Sequence, residues 1–140
     1  MIRAVLDTNV VVSAMLRSGS PPEAVFNLAV DGQIELCVSE PILAEFEEVL
    51  RRGRLAIDPD KVAVALARIR EIATVVQPVA RISAATDPDD NVFLECAEAA
   101  QAHYLVTGNT RHFPERWGAT VVVTPRQFPE ARALASDQPA

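Results

Sequence analysis

The chain has 140 residues, 49% hydrophobic and 23% charged, a balance that fits one ordinary globular domain, residues 1–140, and excludes a disordered polar chain. Its net charge of -6 argues against unspecific, electrostatically driven nucleic-acid binding. It leaves room for an enzyme that gathers carboxylates around a divalent cation, because such a site is acidic by construction and the bound ion inverts the local field.

Ile2 to Leu6 is a short continuous apolar run, read as a strand buried on both faces. Asp7 lands at its carboxyl end, the edge where open α/β sheets bind ligands. The plainer role for Asp7 is the N-cap of a helix that begins at Asn9 or Val10 and runs to Leu16. Pro21 and Pro22 suit the first turn of a second helix, carried by Val25, Phe26, Leu28 and Ala29 to a stop at Asp31-Gly32. Ile34 to Val38 is the second strand. Ser39 caps the best-defined helix, in which Ile42, Leu43, Phe46, Val49 and Leu50 repeat at helical spacing up to Gly53. Glu45 sits beside this stripe, about 100° round from Phe46. From there it either reaches the functional edge or stays solvated like Glu47 and Glu48.

Asp58-Pro59 opens another helix, with Val62, Leu66, Ile69 and Ala73 on one face, and Ala73 to Val76 is a short edge strand ended by Pro78. In Thr86-Asp87-Pro88-Asp89-Asp90-Asn91, Asp87 as N-cap, Pro88 at the first helical position and Asp90 at the third form a strong helix start, continued by Phe93, Cys96, Ala97 and Ala100. The helix dipole accounts for one or two of these acids. A third in the same turn repels its neighbours and gains from a cation. Tyr104 to Thr107 is the next strand, and Thr107-Gly108-Asn109 puts a hydroxyl, a permissive backbone and an amide at the same sheet edge. Phe113-Pro114 ends a short turn with Trp117 packed nearby; Thr120 to Val123 is the last strand, Pro125 to Leu134 the last helix, and 136–140 a frayed tail. Cys37 and Cys96 fit small buried core positions, and His103 and His112 read as isolated surface or strand-end residues.

Strands alternating with helices give a three-layer α/β/α domain with a mainly parallel sheet of about five strands. Right-handed crossovers bring Asp7, Asp90 and the turn at Thr107 to one edge, with Glu45 leaning in. Carboxylates sharing one site resist joint ionisation unless compensated, and hard divalent cations prefer oxygen ligands. The chemistry this suits is metal-assisted attack of water on a phosphodiester. The 12 Arg and one Lys make guanidinium forks the available phosphate contacts: Arg111 and Arg116 past the site are the candidates for them, and Arg51, Arg52 and Arg54 form either a basic patch or a dipole-complementing helix end.

On these residues the chain resembles the PIN-domain family, close to its toxin members related to VapC-type ribonucleases. The likeness runs from Val5-Leu6-Asp7-Thr8-Asn9-Val10 through Ser39-Glu40-Pro41-Ile42-Leu43-Ala44-Glu45 and Asp87-Pro88-Asp89-Asp90-Asn91 to Val106-Thr107-Gly108-Asn109. It implies a Mg²⁺- or Mn²⁺-dependent endoribonuclease with Asp7, Glu45 and Asp90 as catalytic and metal-binding acids, Thr8 or Asn9 orienting Asp7, and Thr107 and Asn109 completing the site; the cytoplasmic address expected for it comes from the sequence itself, since Met1 to Leu16 is interrupted by Arg3, Asp7 and Asn9 and reads as neither signal peptide nor membrane span. It further implies a homodimer, for which the apolar residues of the helix from Pro59 to Thr74 are a candidate surface, and a small antitoxin protein that inserts into the acidic groove. Many relatives carry an Asp where this chain has Asn109 or His112, so the second metal position lacks a charged ligand; Asp87 or Asp89 are the substitutes at hand, with capping roles that compete. Two other classes remain. A PIN-like module with a weakened site would bind RNA or a protein without cutting. An aspartyl-phosphate enzyme would need a Lys at a later strand end, and the one Lys, Lys61, opens a helix.

Overall fold

The computed structural model describes residues 1–136. The strands are β1 (Arg3–Leu6), β2 (Glu35–Val38), β3 (Thr74–Val75), β4 (Tyr104–Val106), β5 (Arg116–Trp117) and β6 (Thr120–Val123); the helices are α1 (Thr8–Leu16), α2 (Pro21–Val30), α3 (Glu40–Leu50), α4 (Pro59–Ile72), α5 (Asn91–Ala100) and α6 (Phe128–Ser136). The expected tail at 136–140 falls outside the described residues except for Ser136, which closes α6.

The sheet order is β3-β2-β1-β4-β6-β5, with every pair parallel except β5 and β6. Strands β1, β2 and β4 are made of residues too apolar to face water on either side: Val5, Leu36 and Leu105 are all fully buried. From β1 the chain steps outward to β2 and β3, then returns past β1 to lay β4 on its other side. With right-handed crossovers, that reversal puts α1 to α4 on one face of the sheet and α5 on the other. The packing agrees, since α5 lies against β1, β2 and β4 while α1 to α4 pack on one another. The reversal also makes the gap beyond the ends of β1 and β4 the topological switch point, where α/β sheets hold their ligands.

Six strands rather than five form the sheet because Arg116 and Trp117 pair antiparallel with Val121 and Thr120 across a two-residue turn. Gly118 makes that turn possible at φ +57°, a conformation that costs glycine little. A two-residue strand has no alternation to read, so the sequence showed only a turn there. Helix α1 starts one or two residues earlier than expected, at Thr8. Helix α6 runs from Phe128 rather than Pro125, because Pro129 has no N–H to give the Pro125 carbonyl and continue the helical ladder; the turn at Pro125 is nonetheless capped, as Thr124 and Gln127 exchange side-chain and backbone hydrogen bonds of 3.0 and 3.1 Å.

Phe46, Phe93 and Phe128 anchor the core; Phe93 meets Phe113 edge-on at 6.4 Å and Phe128 meets Tyr104 at 5.6 Å, which docks α6 on β4. Cys37 and Cys96 are buried free thiols, both pushed up to about 12 chiefly by burial, and so are inert at neutral pH. The basic run at the end of α3 is partly neutralised within its own helix, as Arg51 pairs with Glu47 and Arg52 with Glu48 one turn back.

Candidate functional site

Asp7 occupies the N-cap position of α1, yet its side chain caps nothing. The carboxylate turns across the switch point instead: Oδ2 accepts from Thr107 Oγ1 at 2.8 Å and from Asn9 Nδ2 at 3.2 Å. Its backbone N–H meets Val106 O at 2.9 Å, extending the β1–β4 ladder by one residue and fixing where the acid stands. Asn9 is tied in turn, since its Oδ1 accepts from Gly108 N at 3.1 Å, and Thr107 Oγ1 accepts from Asn109 N at 3.0 Å. The ends of two neighbouring strands are thus laced together through one buried acid.

Thr8 points elsewhere. Its hydroxyl donates to Glu45 Oε2, which brings the acid of α3 over the sheet edge; of the two residues expected to orient Asp7, Asn9 does so and Thr8 holds Glu45. Asp90 also stands at an N-cap position without capping, at the start of α5. The capping work of that turn falls to Asp87, whose Oδ1 accepts from Asp89 N at 3.0 Å. His112 is not isolated: its Nδ1 lies 3.5 Å from Asp90 Oδ2. The short 3-10 turn Thr110–His112 is held there by Thr86 N donating to His112 O at 2.8 Å. The sequence carried no sign of this contact, because His112 and Asp90 lie on opposite sides of α5 and β4 in the chain. Asn109 contributes its backbone to the site, while its side chain makes no hydrogen bond to the acids.

Burial and neighbouring carboxylates oppose the ionisation of all three acids. Burial is the largest cause that raises Asp7, to about 6, with the charges of Asp90 and Glu45 adding to it and the Thr107 hydrogen bond opposing. Glu45 is raised by burial and by Asp90 and Asp89, against the Thr8 hydrogen bond. Asp90 is raised by burial and by Asp87, against His112. Carboxyls from the ends of β1, α3 and the turn before α5 are therefore held where joint ionisation is costly. The donors are oxygens, which suits a hard divalent cation such as Mg²⁺ or Mn²⁺. Among the described residues no three His, Cys, Asp or Glu side chains converge closely enough to chelate one ion directly.

Arg111 and Arg116, both exposed, line a cavity of about 600 Å³ together with Glu115 and Gln127; Arg111 adjoins His112 at Asp90, whereas Arg116 pairs with Val121 on the outer strand β5, level with the start of β4. Neither forms an ion pair among the described residues.

The family model for the PIN domain matches residues 3–111. Among solved structures, a chain of VapBC2 from Rickettsia felis, crystallised bound to a DNA fragment from its promoter, superposes with a TM-score of 0.58 at 16% identity, covering 88% of this chain and 98% of that chain. No curated protein sequence matches this one.

Proposed function

The chain belongs to the PIN-domain family, and from that premise we propose that it is a Mg²⁺- or Mn²⁺-dependent endoribonuclease of the cytoplasm, the toxin of a toxin–antitoxin pair. The observation that carries the reading is the gathering of Asp7, Glu45 and Asp90 at the switch point, where burial opposes the ionisation of all three, Asp90 and Glu45 oppose that of Asp7, and Asp90 opposes that of Glu45. Asp7, Asp90 and Glu45 would hold the ion. Bound there, a divalent ion supplies Lewis-acid stabilisation of charge on the phosphate and lowers the pKa of an attacking water.

The protein's own groups do the positioning. Thr107 and Asn9 hold Asp7 Oδ2 in one orientation, Thr8 holds Glu45, and His112 stands against Asp90, so none of the acids has to be found again in each turnover. Arg111 and Arg116 meet the RNA backbone beyond the reacting phosphate, where guanidinium forks suit phosphate oxygens. The likeness to a VapBC2 chain supports a small antitoxin as partner, and the apolar hollow at Phe26, Val64 and Ala65, with Val64 70% exposed, supports a homodimer through α4.

The deciding experiment is cleavage of pooled cellular RNA by purified protein in Mn²⁺, with chelator and the Asp7→Asn protein alongside. Cutting that needs both metal and Asp7 is expected. No cutting, together with no metal-dependent shift in Tm, would replace the nuclease with a PIN-like module that binds without cleaving.

A further inference from the structure

A crevice of about 160 Å³ opens beside Asn9, between the early turns of α1 and α2 and the turns that follow β4 and β6. Its lining contains no ionisable side chain. Ser13 and Asn109 bring a hydroxyl and an amide that make no side-chain hydrogen bonds to other described residues, and Pro22 and Pro125 bring flat apolar rings. The neighbouring cavity at Arg111, Glu115 and Arg116 is charged, so the two spaces ask for different chemistry. A phosphate in the neutral crevice would meet no cation. A hydrophobe would leave the hydroxyl and amide unpaired. What suits it is a flat, neutral group with polar edges, and a space of this size is close to the ~150 Å³ that holds one benzene ring.

We propose that this crevice is a base subsite, which takes one unstacked nucleobase of the RNA strand whose phosphodiester lies at Asp7. The inference rests on the nuclease reading above. Asn9 joins the two places, as its Nδ2 donates to Asp7 and its Oδ1 accepts from Gly108 at the crevice wall. A base seated there therefore belongs to a nucleotide beside the reacting phosphate. The proline rings cover its faces, and Ser13 and Asn109 read its edge. The Asn amide offers a donor and an acceptor side by side while the hydroxyl rotates to suit, so a base whose edge does not match leaves one of them without its bond to the base. Single-stranded RNA is the substrate class this requires, because a paired base is not free to enter.

The test uses a short random-sequence RNA pool, cut by the wild-type protein in Mn²⁺ with the new ends sequenced. The same pool is also bound without metal and the retained fraction sequenced, so that a preference is read even where no strand is cut. Wild type is expected to favour one base by about tenfold at one position next to the cut. Ser13→Leu, which fills the crevice from a half-buried helix position, and Asn109→Ala, which shortens an exposed turn residue, should each bring that preference to within about twofold. The Mn²⁺-dependent rise in Tm should persist in both, which shows that fold and acids are intact. Asp7-dependent cutting with no base preference, or a preference that survives both substitutions, overturns the subsite and leaves the nuclease standing. A preference in the retained pool that Ser13→Leu removes, without any Asp7-dependent cutting, keeps the subsite and overturns the nuclease.

Discussion

The Thr107 hydroxyl donates to Asp7 Oδ2 over 2.8 Å, a bond between residues one hundred positions apart that closes the gap between the ends of β1 and β4. Both residues are buried, Thr107 completely. The bond works against the burial that raises Asp7, so it matters most when Asp7 is charged. Thr107→Val keeps the shape and removes the donor. It should destabilise the metal-free protein by about 1.5–3 kcal/mol at pH 7.5 and by less at pH 5, where Asp7 is largely protonated. Thr107→Ser should restore most of the loss. Urea denaturation in chelator at the two pH values checks this; equal losses at both would mean that the hydroxyl does not act through Asp7.

Asp7 itself is a cost to the fold. Its folded-state value of about 6 lies above the ordinary 3.8, so the neutral acid is favoured in the folded protein. The contribution is full below about pH 3.8 and is lost as pH rises through about 6, leaving ionised Asp7 destabilising at neutral pH. The shift corresponds to an upper bound of about 3 kcal/mol. Asp7→Asn should therefore stabilise the metal-free protein by about 1–3 kcal/mol at pH 7.5, with the gain vanishing toward pH 4. A destabilised Asp7→Asn protein at neutral pH would show that the carboxylate is held for structural reasons.

Relief of the same strain by a cation gives an independent readout. Mn²⁺ should raise Tm at pH 7.5 and much less at pH 5, because protons compete for Asp7, Glu45 and Asp90, all of which are raised. In Asp90→Asn the rise should shrink at both values. A rise independent of pH would point to an ion bound away from these acids.

Position 112 and position 109 should answer differently to an added acid. His112 stands 3.5 Å from Asp90, whereas the Asn109 side chain makes no hydrogen bond to the acids. His112→Asp is expected to tighten Mn²⁺ binding by about tenfold or more, a carboxylate being the harder ligand, and Asn109→Asp to change it by less than about threefold. Titration calorimetry on both proteins decides, and the reverse order would move the metal position toward the turn after β4.

Gly108 is less constrained than its place beside the site suggests. A Cβ there would meet Asn9 Oδ1 at 3.6 Å, an ordinary contact, and its backbone does not adopt a positive φ. Gly108→Ala should stay within about 0.5 kcal/mol of wild type in stability. A larger loss would mean that Asn9 cannot yield and that its bond to Asp7 breaks with it.

The positions of most elements could be read from the sequence, because the signals that set them are local. Ser39 and Asp58 cap α3 and α4 where the sequence placed them, Pro41 and Pro59 sit in the first turns, and the apolar runs of β1, β2, β4 and β6 were sufficient to fix a parallel sheet. Missed was the element with too little periodicity to show, the two-residue β5.

The sequence by itself determined that acids sit at the carboxyl ends of strands and at helix starts, since strand and helix periods fix which residue comes last and which first. Which acid caps and which turns to the site was decided only in three dimensions. Asp87 caps while Asp7 does not, although both carry the same local signal, and Asp90, expected inside the first turn, stands at the start of α5 without capping. That choice depends on partners far along the chain, Thr107 for Asp7 and His112 for Asp90, and no local pattern encodes a hydrogen bond across a sheet reversal. The neutral crevice at Ser13 and Asn109 belongs to the same class of feature. It is built from four separate turns that come together only when the order of strands brings β4 and β6 beside β1.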